Sequence, residues 1–319
     1  MKYINPGIAA LLTSSNTYQG INVAQKYSAT GYAIGTAGNH QDKFPWYQGI
    51  EGNEDCHEIW MSYDIAEVNT DSSTGAVALF TALDAELNTL ACVFLVSSTN
   101  GYHIAIYNGA LLPEVIEQKK YIYITDNSVS FNSEAPNNIE VHFKNGENGR
   151  VDVWIDTKLF CSYRSPSAFP STPIKYVGQQ GYSIYGYYGL YAYVSSIIIQ
   201  DTRRIGLEKF KMLTVDPATE QNMPQGSTTT FTLSGLSDAT EFSDITSVGA
   251  ILQATSRDAN ITTGTFSLNG ADVGTIDVSD SSGKAYEQAH AETNSLTGKP
   301  WTRDDIEGKT LSFKVNGAS

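Results

Sequence analysis

The acidic residues at 62–67 are the closest match in this sequence to the catalytic carboxylates of a glycoside hydrolase. Retaining enzymes use two carboxylates about 5 Å apart, one as nucleophile and one as acid/base. Acids repeated along one face of a strand, as in E-x-D-x-E, meet that need. The nearest match is S-Y-D-I-A-E at 62–67, where Ser62 stands in the first acidic position and Asp64 and Glu67 fall on opposite faces. A second acidic cluster at 54–58 lacks such a register, so we predict no catalytic residues.

Aromatic side chains offer a different chemistry, because their faces stack on apolar sugar faces while their polar tips form hydrogen bonds. Six of them lie in loop-like or Gly-rich segments, and these are the candidate carbohydrate-binding residues: Trp46, Tyr47, Tyr182, Tyr185, Tyr187 and Tyr188. The alternative is structural, since Tyr is common at sandwich edges and in protein interfaces, where it contributes contact area at low entropy cost. Both interpretations remain open at this point.

The sequence gives less support for a metal site or a reactive thiol than for carbohydrate-binding aromatic residues. We predict no metal site and no cofactor; the alternative is Ca²⁺ held by oxygen ligands of the loop at 71–73, which lacks a DxDxDG signature. The five histidines are scattered and form no HExxH or paired arrangement: His40, His57, His103, His142 and His290. Three cysteines form neither a disulfide framework nor a zinc spacing, and we expect Cys56, Cys92 and Cys161 to be buried free thiols.

A meander of antiparallel strands at 139–162 is the clearest predicted element. Ile139, Val141 and Phe143 alternate with polar residues, and after an N-G-E-N-G turn Val153 lies in a second alternating run. The alternation places one face in the core and leaves the other, with Trp154, facing solvent. A further turn at 156–158 leads into a third strand.

Further strands are predicted at 58–68, 76–81, 90–96, 102–107 and 191–200, and residues 40–47 are predicted to form an aromatic loop. A charge cluster followed by two prolines at 201–227 marks a domain boundary. The remaining chain alternates short strands with Gly/Asn/Asp turns, which is typical of a small β-sandwich. Within it, Thr302 is predicted to cap a short helix that follows Trp301. The predicted domains are therefore 1–205 and 206–319.

The charge balance excludes several partners. With 20 Lys and Arg against 34 Asp and Glu, the net charge is −14, which disfavours nucleic acid and an anionic membrane surface. The apolar run at 8–12 is too short for a signal peptide, and no uncharged run reaches the length of a membrane span. We therefore expect a protein made in a cytoplasm.

The hairpin also carries a family resemblance. The pattern V-x-V-x-I-D-x-K-L-F at 151–160 resembles the central hairpin of concanavalin A-like (laminin-G-like) domains, with Thr157 where that family often has Gly. The strand Y-V-S-S-I-I-I at 193–199 is similar to the family's last strand, with Ser in place of Asp. The resemblance implies an all-β fold, with a concanavalin A-like antiparallel β-sandwich followed by a smaller β-sandwich.

The C-terminal part resembles a second family, the tailed-bacteriophage virion proteins that carry a lectin-like domain. The similar segments are residues 200–217, where L-E-K-F at 207–210 departs from the family's L-G-D-V, the segment T-N-S-L-T-G-K-P-W-T at 293–302, and the closing L-S-F-K-V at 311–315. This resemblance covers about 190–319 and implies a virion structural protein.

The leading hypothesis is thus a non-enzymatic virion component on the capsid, collar or tail, made in the host cytoplasm. We expect it to contact other virion proteins as a homo-oligomer, with a trimer as the expected state. The second hypothesis is a carbohydrate-recognising adhesin or receptor-binding protein with a host-surface glycan as partner. A glycoside hydrolase is the third.

Overall fold

A computed structural model describes residues 2–15, 18–21, 28, 30, 32–36, 46–69, 76–98, 101–109, 118–132, 135–179, 191–206, 208–216, 222–236, 244–254, 261–279 and 285–317. Over these residues the structure is all-β and every sheet is antiparallel, which confirms the predicted fold class. Helical turns are limited, within the described ranges, to short 3-10 segments at Ala9–Leu11, Gly146–Asn148 and Arg303–Asp305. The chain divides into two compact units, Met1–Phe210 and Lys211–Ser319.

The first unit is built from two sheets. Its strands are β1 (Lys2–Asn5), β2 (Ser14–Ser15), β3 (Tyr18–Ile21), β4 (Tyr32–Thr36), β5 (Trp46–Gly49), β6 (Glu58–Asn69), β7 (Ala76–Leu83), β8 (Thr89–Ser98), β9 (Gly101–Tyr107), β10 (Tyr123–Ile124), β11 (Asn137–Lys144), β12 (Gly149–Ile155), β13 (Lys158–Ser165), β14 (Tyr176–Gln179) and β15 (Tyr191–Gln200). Sheet A has the order β13-β12-β11-β6-β15-β4-β3, with β1 also paired to β15. Sheet B has the order β10-β9-β8-β7-β14-β5-β2.

The core of this unit lies between the two sheets, as a β-sandwich requires. The inward residues of β6, β11 and β12 in sheet A belong to one apolar cluster with those of β7, β8 and β9 in sheet B. The Phe80 and Phe143 rings meet across the sandwich with centroids 5.8 Å apart. The Tyr63 hydroxyl donates to the carbonyl oxygen of Leu79 over 2.7 Å, so its one polar atom is satisfied inside the core.

The predicted meander is present with the predicted register. Val141 faces Val153 across the β11–β12 pair, and both side chains are fully buried. Asp156 and Thr157 take φ values of 47° and 70°, which forms the tight reversal into β13 without a glycine. The opposite face was expected to be exposed to solvent, which was wrong at Asp152, because its side chain is 0% exposed. The side chain of Asp152 is surrounded there by its ionic partners His142 and Arg150.

The predicted aromatic loop was wrong at its end, because Trp46 begins strand β5 in sheet B. β5 pairs with β14, and the Trp46 indole nitrogen donates to the side-chain oxygen of Gln179 over 2.9 Å. Trp46 is 0% exposed. The sequence predicted a loop instead of strand β5 because Pro45 and the polar residues before it are typical of loops.

The second unit contains β16 (Thr214–Asp216), β17 (Thr228–Ser234), β18 (Val248–Ala254), β19 (Ile261–Leu268), β20 (Ala271–Asp277), β21 (Ala285–Ala291), β22 (Thr293–Asn294), β23 (Lys299–Pro300) and β24 (Thr310–Gly317). A five-stranded sheet has the order β16-β17-β24-β19-β20, and β18-β21 forms a ribbon that shares its apolar core through Ala250 and Ala289. This is the predicted smaller β-sandwich. Strand β21 was not predicted, since A-Y-E-Q-A-H-A has little β-branched character.

The predicted Trp301 segment matches the structure. Trp301 is buried, and its indole nitrogen donates to the Ala291 carbonyl oxygen over 2.9 Å. Thr302 is the N-cap of the 3-10 turn, and its backbone N–H donates to the Asp305 carboxylate over 2.8 Å. The hydrogen bonds from Thr302 hold the pKa of Asp305 below its usual value.

Candidate functional site

The outward face of sheet A carries a row of aromatic and ionisable side chains. Along β6, β11 and β12 the residues between the core positions point outward, and pairing aligns Trp60, His142 and Asp152 across three neighbouring strands. Ser162 of β13 continues the row. We call this set, together with Glu58, Lys144 and Arg150 of the next row, the polar face.

Trp60 is held by its neighbour in the row. Its ring stacks on the His142 imidazole with centroids 4.1 Å apart and an interplanar angle of 5°. His142 is buried, whereas Trp60 is half-buried. The stack fixes the orientation of the Trp60 ring.

His142 is in turn held by two carboxylates. Its Nδ1 lies 3.1 Å from Asp152 Oδ2 and its Nε2 lies 2.9 Å from Glu58 Oε1. Ionised carboxylates only accept hydrogen bonds, and a neutral imidazole donates from one nitrogen only. Both contacts are therefore satisfied together when the imidazole carries a proton on each nitrogen.

The two carboxylates remain ionised through their other partners. Burial would raise the pKa of Asp152, but hydrogen bonds from His142, Ser162 and Arg150 outweigh it and lower that pKa. Ser162 Oγ donates to Asp152 over 2.6 Å, and Arg150 forms an ion pair with the same carboxylate. The pKa of Glu58 is likewise lowered, since hydrogen bonds from Lys144, at 2.7 Å, and His142 outweigh the effect of burial.

A segment after β15 crosses the next rows of the same face. We call residues 201–206 the strap. Its backbone N–H groups at Ile205 and Gly206 donate to the Glu140 carboxylate over 2.7 and 3.3 Å, and Arg204 Nε donates to it over 3.1 Å. Glu140 is only 1% exposed, so the strap supplies the donors that a buried carboxylate needs. The strap belongs to the first compact unit, Met1–Phe210.

The acidic segment considered for hydrolysis also lies on this face. Asp64 accepts a hydrogen bond from Asn138 Nδ2 over 3.2 Å, and the same amide donates to Ser62 Oγ over 3.1 Å. Burial raises the pKa of Asp64. The Glu67 side chain lies outside the described part of the structure.

The predicted aromatic site is only partly described. Trp46 is a core residue and cannot offer its ring to a sugar, which corrects that prediction. Tyr47 is half-buried, with its ring 5.3 Å from that of Tyr176 in an edge-on contact. Tyr182, Tyr185, Tyr187 and Tyr188 lie outside the described residues, as does the loop at 71–73 that was considered for Ca²⁺.

The polar face was missed by sequence reasoning, although a signal was present. Trp60 and His142 each alternate with core residues on a predicted strand. Their convergence depended on the strand order β12-β11-β6, which joins residues about 80 positions apart and which no local pattern specifies.

Other chemistry has little support in the described ranges. No group of three or more His, Cys, Asp or Glu side chains there could hold a metal ion. All three cysteines are buried and free, as predicted, and burial raises the pKa of Cys56 to about 11 and those of Cys92 and Cys161 to about 12. Such thiols are poor nucleophiles. Among the described residues, no helix has the length and hydrophobicity needed to span a bilayer.

Neither a protein-family model nor a curated protein matches the sequence. Solved structures of similar fold include alginate lyase Aly36B, with 12% identity and a TM-score of 0.40 over 65% of this chain and 98% of that one. The cellulose-induced protein Cip1 has 12% identity and a TM-score of 0.39 over 62% and 90% of the two chains. The CBM2 module of the evolved Dit of Lactobacillus casei BL23 phage J-1 has 13% identity and a TM-score of 0.32 over 62% and 88%. At this level of similarity they carry no argument about the function of this chain.

Proposed function

We propose that the protein binds carbohydrate on the polar face of sheet A. The observation that carries the proposal is the Trp60 ring, which is locked by its stack on His142, in a face whose His142, Glu58 and Lys144 form ion pairs. An aromatic face next to fixed polar groups matches a sugar, which has apolar C–H faces and a rim of hydroxyl groups. Lys144 and Glu58 lie in the next row of the polar face and are partly exposed.

Binding without catalysis fits the protonation states of this face. A glycoside hydrolase needs one carboxyl group with a raised pKa to act as acid. Glu58 and Asp152 both have lowered pKa values, so neither is a proton donor near neutral pH. Asp64 has a raised pKa but is held by Asn138. We therefore expect no release of reducing sugar from any glycan that the protein binds.

A printed array of defined oligosaccharides of two to six sugars tests this proposal. Trp60→Ala is expected to weaken every signal of the parent protein by about tenfold or more, because a stacked aromatic ring is lost from the centre of the site. Tyr107→Ala is the matched control, since Tyr107 is another half-buried aromatic residue, in β9 of sheet B. Equal signals from the parent and Trp60→Ala, or no signal from the parent, would overturn the proposal.

We also propose, as the biological setting of this binding, a virion appendage of a tailed bacteriophage that recognises a glycan on the host surface. Support comes from the sequence resemblance at 200–217 and 293–315. In that setting the chain assembles with other virion proteins as a homo-oligomer, with a trimer as the expected state. Mass spectrometry of purified phage particles tests whether the protein is a virion component, and its absence from them would contradict this. Light scattering of the isolated protein tests the oligomeric state, and a monomer would contradict the expected trimer.

A further inference from the structure

A second tryptophan stands on the outward face of sheet A, and one side chain of the strap covers it. Trp154 of β12 is half-buried. The Arg204 guanidinium carbon lies 4.4 Å from the centroid of the Trp154 ring. Arg204 Nη2 also donates to the Thr157 carbonyl oxygen over 3.1 Å, while 43% of the Arg204 side chain stays exposed. A planar cation thus occupies the ring face that a sugar would stack on.

The backbone of the strap has an anchor of its own, apart from the contacts of the Arg204 guanidinium. The Glu140 carboxylate accepts from the consecutive N–H groups of Ile205 and Gly206, and Gly206 takes a φ of 70° that lets both groups converge. Ile205 is buried. The Arg204 guanidinium has two partners of its own, the Glu140 carboxylate at Nε and the Thr157 carbonyl oxygen at Nη2. To leave the Trp154 ring it exchanges these contacts for solvent or ligand, while the backbone contacts of the strap remain.

The spacing of the two tryptophans suits one extended ligand. Trp154 lies two strands and two residues away from Trp60 in the register of β6, β11 and β12. Strand spacing and rise per residue put their Cα atoms about 12 Å apart on the same face of the sheet. An oligosaccharide of a few sugars reaches from one ring to the other, whereas a single sugar does not.

We propose that Trp154 is a second sugar-stacking position, which Arg204 covers in the unliganded protein and vacates for a longer oligosaccharide. This inference rests on the proposed carbohydrate binding at Trp60 and adds to it a preference for chain length. Arg204 acts here as an internal competitor of the ligand. Its removal should help long glycans and leave short ones unaffected.

The test compares Arg204→Ala with the parent protein on the same oligosaccharide array. Signals for oligosaccharides of four to six sugars are expected to rise about threefold or more, with disaccharide signals unchanged. Arg203→Ala is the matched control, because Arg203 belongs to the same strap but pairs with Glu208 and not with Trp154. Oxidation by N-bromosuccinimide, read by mass spectrometry, is the second measurement: Trp154 should be modified severalfold faster in Arg204→Ala, and Trp60 at the rate found in the parent.

The outcomes separate the two proposals. A parent that binds glycans through Trp60, together with an Arg204→Ala variant whose chain-length profile is unchanged, would overturn the second position and leave the proposed function intact. A loss of long-glycan signal in Arg204→Ala would show that the arginine contacts the ligand instead of competing with it, which also overturns the inference. Unchanged oxidation of Trp154 would show that Arg204 does not cover the ring. A parent that binds no glycan at all would refute both proposals.

Discussion

His142 is fixed on three sides, and its contacts determine what the site can do. Asp152 and Glu58 engage its two nitrogens, and Trp60 covers its ring. A histidine that serves as a general base needs a free nitrogen that a substrate can reach. Because His142 has none, its role is to orient the Trp60 ring and to keep the two carboxylates in place, which is the role of a positioning residue.

This arrangement predicts a dependence of stability on pH. Asp152 and Glu58 have pKa values lowered by folding, so their contribution to stability is complete above the ordinary carboxyl pKa of about 4 and is lost as the pH falls through their lower folded-state values. Asp152→Asn should therefore lower the free energy of unfolding by about 1–3 kcal/mol at pH 7. The difference from the parent should shrink on acidification.

Urea unfolding between pH 2 and 7 checks this expectation. Asp55→Asn serves as the control, since the Asp55 side chain is 85% exposed and its contact with His57 lies at the surface. An Asp152→Asn variant that is as stable as the parent at pH 7, or whose deficit grows in acid, would contradict the assigned network.

At the scale of elements, local patterns predicted the strands, and tertiary pairing decided which of their outward residues meet. The alternation at 139–155 correctly identified Val141 and Val153 as core residues. It treated the opposite positions as solvated, because periodicity reports which face a residue takes and not what covers it. Glu140 and Asp152 are buried there by the strap and by Arg150, through contacts that depend on the order of strands in sheet A. Trp46 was taken for a binding residue for a different reason: Pro45 and the polar residues before it resemble a loop, whereas Trp46 begins a core strand.

The attachment of the strap to Glu140 predicts how much this residue contributes to stability. Glu140→Ala removes the acceptor of its three donors and should lower the free energy of unfolding of the first unit by about 1–3 kcal/mol. Glu54→Ala is the matched control, because Glu54 also pairs with a cation, Lys175, but is 93% exposed, and its loss should leave the stability nearly unchanged. Thermal unfolding of the full chain compares the two. Equal effects would mean that the strap is not anchored by Glu140.

At the scale of the whole molecule, the two compact units divide the chain into a part that carries the proposed site and a part with its own core. The second core includes Trp301, Phe266 and Phe313. A fragment of about 100 residues is large enough to fold on such a core. The domain prediction from sequence rested on composition alone, and the independence of the two parts in folding stays a prediction.

We expect the fragment 211–319 to unfold cooperatively, with its Trp301 fluorescence shifting to the red as the buried indole meets water. The fragment 1–210, which retains the strap, should fold by itself. Urea titrations of each fragment followed by fluorescence provide the measurement. Two insoluble fragments that regain structure only on mixing would show that the units share one folding core.

The most direct test of carbohydrate binding on sheet A uses the four tryptophans as position markers. Their indole N–H signals in a ¹⁵N–¹H spectrum, assigned with Trp→Phe variants, are titrated with the oligosaccharide that gives the strongest array signal. Trp60 lies on the polar face, Trp154 under Arg204, Trp46 in the core of the first unit and Trp301 in the core of the second. Saturable shifts are expected at the Trp60 signal, joined by the Trp154 signal for longer chains, with the Trp46 and Trp301 signals unmoved. A bound oligosaccharide that leaves the Trp60 signal in place would contradict carbohydrate binding on the polar face.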